Sequence, residues 1–228
     1  MNSNPNTDHR TAIKQATDQV FVGVMNALKA DRAVVVVKAP PGSGKTYLLS
    51  RVVSELRKTR SRIVVAAQTN AQADDICRRL ASPPWNVPSY RFVARDGGMD
   101  EPVDRVTEVE GFGDLPQGPC VVVGTSAKWG FVDITASFDV LLVDEAWQMK
   151  WTQFVPLGRV APRFVLIGDP GQIPPVVPVD AARWETTRIP PHIPTPDVVC
   201  AYDEAHIGVK VTQLQLPASR RLPADAVS

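Results

Sequence analysis

The eight residues APPGSGKT, Ala39 to Thr46, combine two glycines, a lysine and a hydroxyl in one short turn. Gly42 and Gly44 permit backbone angles closed to other residues, so successive N–H groups can converge on phosphate oxygens. Lys45 supplies a point charge for β- and γ-phosphates, and Thr46 offers a hydroxyl to Mg²⁺. Pro41, Gly42, Ser43, Gly44, Lys45 and Thr46 are therefore the candidate nucleotide-binding residues. A chance glycine-rich turn would share the composition. The β-branched run AVVVVKA before it and the helical pattern after it supply the context a phosphate cradle needs, with the positive helix end aimed at the anion.

Two carboxylates end another apolar run, in FDVLLVDEAWQM. Asp144 can hold Mg²⁺ directly or through water. Glu145 can orient and activate an attacking water. A helix start bearing two acids would look the same. With a phosphate cradle upstream, the pair favours hydrolysis over nucleotide storage, because water needs a base. A third stretch, VLIGDPGQIPPVV, places Asp169 and Gln172 in a proline-stiffened loop. The Gln172 amide can contact both a γ-phosphate and a water. Taken alone, that loop would be an ordinary turn.

The elements that must position these groups follow from periodicity. Continuous apolar runs at 33–39, 62–68, 120–125, 140–145 and 163–169 read as strands buried on both faces, with a possible short strand at 90–95. Helical spacing covers Thr11–Leu28, residues 46–60 and the stretch NAQADDICRRLA. Alternation of the two predicts an α/β fold, a mostly parallel sheet with helices on both faces, and ligands at the C-terminal strand ends. Residues 82–118 and 173–212 carry breakers and prolines and read as irregular. Residues 1–10 read as a disordered tail and 11–228 as one domain.

Bulk composition narrows the class. The 228 residues are 44% hydrophobic and 21% charged, with net charge +1, so no global basic field announces a nucleic-acid partner. Cys77, Cys120 and Cys200 are odd in number and far apart, which suits reduced thiols and no disulfide framework or metal-cysteine site. No apolar run reaches the roughly 20 residues of a membrane span, and the polar N-terminus lacks a secretory signal. The expected compartment is the cytoplasm.

Together, five stretches resemble, in order, motifs of the N-terminal RecA-like motor domain of superfamily 1 helicases, the branch whose second motif reads DEAxQ. Here that motif is DEAWQ, 144–148. APPGSGKT is similar to that branch's GPPGTGKT, departing at Ala39 and Ser43. VVAAQTNAQADDI (64–76) resembles motif Ia, VVVGTSAKW (121–129) the next nucleic-acid-contacting motif, and LIGDPGQIPPVV motif III. The likeness runs from about Gln19 to the C-terminus. It implies a RecA-like P-loop NTPase using ATP and Mg²⁺, with single-stranded DNA or RNA as partner. It implies Gln172 as γ-phosphate sensor and Gln19, or alternatively Gln15, as reader of the adenine edge. Thr69, Asn70, Thr125 and Lys128 would touch the sugar-phosphate backbone, which positions a strand without reading its sequence.

The last stretch, LQLPASRRLPADAVS, resembles motif IV, where a tyrosine–arginine pair meets the nucleotide. Arg221 keeps the implied γ-phosphate role. Arg220 replaces the aromatic that stacks on adenine; a guanidinium can also stack on a base. In that family a second RecA-like domain supplies the other wall of the site, so such a domain is expected in cis or on a partner chain. Many relatives insert an accessory domain after motif Ia; residues 82–118 are too short for one. Trp85, Tyr90 and Phe92 would be either a small stacking platform or core packing. The alternative to a motor is a nucleotide-dependent switch that recruits a partner without translocation. A small-molecule P-loop kinase would leave the motif Ia and GDPGQIPP likenesses unexplained.

Overall fold

The computed structural model describes residues 5–95, 97–132, 137–172, 184, 187–202 and 209–217. Eight strands form one sheet: β1 (Ala33–Lys38), β2 (Ile63–Ala67), β3 (Ser89–Phe92), β4 (Val106–Val109), β5 (Val121–Thr125), β6 (Val140–Val143), β7 (Arg163–Gly168) and β8 (Lys210–Gln215). Their spatial order is β4-β3-β5-β2-β6-β7-β1-β8, and every pairing is parallel. The helices are α1 (Pro5–Ala27), α2 (Lys45–Lys58), α3 (Asn70–Ala81), α4 (Ser126–Gly130), α5 (Trp151–Phe154) and α6 (Thr195–Ala201).

The continuous apolar strands are buried on both sides because each face has its own core. Val35, Val37, Ile63, Val65, Leu142, Val165 and Ile167 point into one cluster with α1, α2 and α3. Their chain neighbours Val34, Val36, Val64, Leu141, Val143 and Leu166 point into the other, which includes Trp129, Trp147, Met149 and Phe154. This period-2 sorting is the pleat expressed in packing. It confirms the α/β architecture expected from the apolar runs.

Three segments differ from their sequence reading. The first helix begins at Pro5, inside the stretch that reads as a tail, and residues 1–4 lie outside the described set. Residues 82–118 hold β3, overlapping the short strand expected at 90–95, and also β4, which was not expected; the two complete one edge of the sheet. The proline-rich segment ends in α6 and then β8, which pairs along the whole of β1. β8 is missed from sequence because only Leu216, just beyond it, is fully buried in that stretch, so its apolar signal is weak.

Close approach at one glycine joins the two faces of the site. A Cβ on Gly168, the last residue of β7, would lie 2.8 Å from the Ala146 nitrogen and 3.0 Å from the Trp147 ring. Both neighbours belong to buried residues that follow the acidic pair. Gly168→Ala is expected to lower stability by about 1–3 kcal/mol through overpacking. Gly158→Ala, with nothing within 4 Å of its Cβ, is expected to stay within about 0.5 kcal/mol of wild type. Urea unfolding midpoints of the two variants check the pair.

Candidate active site and adjoining strand edge

Three adjacent strands deliver the groups singled out for nucleotide chemistry. β1 leads to the APPGSGKT loop, β6 to Asp144 and Glu145, and β7 to Asp169 and Gln172. The ladder continues past the strand ends. Ala39 N–H donates to the Gly168 carbonyl at 2.7 Å, and Asp144 N–H to the Ala66 carbonyl at 3.0 Å. Gly42 and Gly44 have φ of 71° and 96°, the left-handed region that glycine enters without strain. Gly44 caps α2 with no side chain of its own, so the helix N–H groups behind it stay open to an anion.

The charges on the two sides meet. Lys45 Nζ donates to Glu145 Oε1, pairing the loop lysine with the second acid. Glu145 itself sits at φ 51°, ψ 46°, a left-handed conformation costing a non-glycine residue about 1 kcal/mol or more. Its N–H donates to Asp144 Oδ1 at 3.0 Å. Burial raises the Asp144 carboxyl to about 6 from an ordinary 3.8; the Glu145 charge adds to this and Lys45 partly opposes it.

Two polar atoms here are buried without a hydrogen-bond partner: Ser43 Oγ in the loop and Glu145 Oε2. Unpaired buried oxygens are costly, and a phosphate group and a metal-bound or free water are the species that would satisfy them. With Thr46 and Asp144 alongside, the donor set is all oxygen, which suits Mg²⁺. The residues therefore fit a magnesium–nucleotide complex.

Gln172 N–H donates to the Asp169 carbonyl at 3.3 Å, and Asp169 Oδ1 accepts from Gly171 N–H at 2.9 Å, a turn held by its own side chain. The Gln172 Oε1 accepts from Gln148 Nε2 at 3.2 Å. Gln148, at the end of DEAWQ, thus links the two loops; the motif contains it, but spacing alone gives it no role. Gln19 and Gln15 are both exposed on α1. Beside them, Asp18 pairs with Arg51 of α2. Arg220 and Arg221 lie outside the described residues.

The neighbouring strands carry the other candidates on the same edge. Thr69 and Thr125 follow β2 and end β5, and each is a helix N-cap: Thr69 Oγ1 accepts from Gln72 N–H, Thr125 Oγ1 from Lys128 N–H, both at 3.2 Å. Asn70, exposed, opens α3. Lys128 Nζ lies over the Phe92 ring, 4.4 Å from its centre, and donates to the Glu110 carbonyl at 2.9 Å. Phe92 is buried against Trp129, so it packs and offers no stacking face. Trp85 instead meets Tyr47 at 5.3 Å, around an open pocket of about 290 Å³ that also touches Thr46, Arg78 and Arg79.

Among the described residues, no group of acidic, histidine and cysteine side chains is clustered to bind a metal, and no helix is long and apolar enough to cross a membrane. The three cysteines are free thiols.

Residues 22–187 match a family described as an AAA domain. The DNA replication ATP-dependent helicase/nuclease DNA2 of Saccharomyces cerevisiae is 27% identical over 157 residues, 63% of this chain and 10% of that protein. The corresponding helicase/nuclease JHS1 of Arabidopsis thaliana is 29% identical over 157 residues, 63% of this chain and 11% of that protein. The chain thus spans about a tenth of the curated relatives it matches. In fold it is similar to the Arterivirus nonstructural protein 10 (helicase), with a TM-score of 0.50, 21% identity and coverage of 89% of this chain and 38% of that one.

The raised Asp144 carboxyl gives a stability test. The folded chain binds this proton more tightly than the unfolded chain, so the cost of the buried charge is present above pH 6 and fades as pH falls toward 3.8. Asp144→Asn is expected to stabilise the ligand-free protein by about 1–3 kcal/mol at pH 7.5. The gain should shrink at pH 5. Denaturant titrations at both pH values read it; an equal gain at both would contradict the assignment.

Proposed function

This chain belongs to the AAA domain family, and from that premise we propose that it is the first RecA-like motor domain of a superfamily 1-type helicase or translocase, binding and hydrolysing ATP. The observation that carries this reading is the shared sheet edge. The nucleotide candidates leave β1, β6 and β7, the strand-contacting candidates leave β2 and β5, and β2 lies directly beside β6. The proposed nucleotide site and the proposed nucleic-acid track therefore adjoin on one sheet edge.

The proposed roles are as follows. The loop N–H groups, Ser43 and Lys45 bind the phosphates. Thr46 and Asp144 hold Mg²⁺, which when bound neutralises phosphate charge. Glu145, released from Lys45 as that lysine turns to the incoming phosphate, accepts a proton from the attacking water through its carboxylate. Gln172, tied to Gln148, senses the γ-phosphate. Asn70, Thr69, Thr125 and Lys128 meet the backbone of single-stranded DNA or RNA, with N–H groups at the starts of α3 and α4 as further donors. Gln19 and Arg220 would meet the base and Arg221 the γ-phosphate. A second RecA-like domain, in cis or on a partner chain, closes the cleft above the loop, where Pro41 is exposed. The odd number and wide spacing of the cysteines support a cytoplasmic setting.

Turnover and binding measured in parallel test the reading. Lys45→Ala is expected to lose nucleotide affinity. Glu145→Gln should keep that affinity and lose hydrolysis by about 100-fold or more; unchanged hydrolysis would remove Glu145 as the base. A labelled single-stranded oligonucleotide should bind with an affinity that falls with salt, by a log–log slope of about 0.7 per phosphate contacted. Nucleotide binding with no oligonucleotide affinity would point to a switch.

A further inference from the structure

Arg91 lies in β3 and is only 1% exposed, an unusual place for a guanidinium. Each of its three nitrogens donates, and three of the four bonds go to residues in the first turns of α3. Nε donates to Asp74 Oδ1 at 2.6 Å, Nη1 to the Phe92 carbonyl at 2.9 Å, and Nη2 to Asn70 Oδ1 at 3.0 Å, with the Asn70 carbonyl at 3.5 Å. Asn70 and Asp74 stand four residues apart on α3, so they share a face one turn apart. One planar fork spans both. A lysine could neutralise Asp74, but its single ammonium cannot hold both side chains in a fixed geometry.

The contact settles which end of the Asn70 amide faces outward. A guanidinium has donors and no acceptor, so the atom facing Nη2 must be the amide oxygen. The amide NH₂ is then turned away from Arg91, on a residue that is exposed at the sheet edge. An unrestrained asparagine would present oxygen or nitrogen with similar ease, and an oxygen facing a phosphate repels it. We propose that Arg91 is a positioning residue for nucleic-acid binding: it fixes Asn70 with its NH₂ outward as a donor to a backbone phosphate. The inference rests on the motor reading, in which Asn70 contacts the strand. Arg91 itself touches no phosphate, and its burial keeps it away from one.

Fluorescence anisotropy with a labelled single-stranded oligonucleotide tests this on the whole chain. Asn70→Ala and Arg91→Lys should each weaken binding by about tenfold to a hundredfold, the loss of one charge-assisted hydrogen bond. The double variant should lose no more than Asn70→Ala alone, and nucleotide affinity should be unchanged in all three. A merely structural role would make the losses additive and lower nucleotide affinity too; additive losses overturn the inference and leave the motor reading standing. A wild-type chain with no oligonucleotide affinity overturns both. Should Arg91→Lys not fold, the Asn70 side-chain NH₂ resonance, identified by its loss in Asn70→Ala, gives a second readout. It should shift when oligonucleotide is added to wild type, and no shift overturns the proposal.

Discussion

The hydrogen bond from Ala39 N–H to the Gly168 carbonyl ties the phosphate loop to the end of the next strand, and the rest of the site depends on such extensions of the ladder. Asp144 N–H reaches the Ala66 carbonyl and Leu216 N–H the Lys38 carbonyl in the same way. A parallel sheet sends every strand's C-terminus to one edge. Once the first residue beyond each strand is also bonded to its neighbour, loops that would otherwise wander are held in register. Five strands then place their outgoing residues along one line, and side chains far apart in sequence become neighbours without a specific contact of their own.

That line divides naturally. On one side the groups are ionic and in tension: a buried Asp144 with a raised carboxyl, a Glu145 in a left-handed conformation, and a lysine paired with that glutamate. On the other side, Lys128 apart, they are uncharged and held in place, with capping threonines and an asparagine whose Oδ1 is clamped by a buried arginine. The contrast suits the work. Chemistry needs groups that gain by changing partners, whereas a backbone track needs donors whose direction does not drift. At the junction, Gln68 follows β2 with its Oε1 accepting from Ser126 Oγ at 3.4 Å and its Nε2 buried without a partner.

Much of this was legible in the sequence, for a definable reason. The central strands are buried on both faces, so their apolar runs are unbroken and their ends are marked by the first polar residue, which is where the chemistry sits. The glycine, lysine and acidic positions of the site come from local backbone and charge requirements that survive without tertiary information. What was hidden depends on partners. β4 and β8 are edge strands with mixed burial and carry little apolar signal. Arg91 sits in a breaker-rich stretch and drew no role from the sequence; only its contacts with Asp74 and Asn70 reveal a buried clamp. Thr69 and Thr125 read as contacts to a nucleic-acid strand; that their hydroxyl oxygens also accept helix-cap hydrogen bonds was not read from the sequence. The start of α1 at Pro5 escaped because polar residues there give no apolar stripe.

The pairing of Lys45 with Glu145 has a consequence for selectivity. A resting lysine that is already neutralised gives a bare anion little reason to enter, because inorganic phosphate would have to separate the pair and leave a carboxylate unmatched in a half-buried place. A ligand that brings an anion for the lysine together with a cation or an ordered water for the carboxylate replaces both halves at once. The pairing therefore disfavours free phosphate relative to a metal–nucleotide complex, through the same two residues that such a complex would separate.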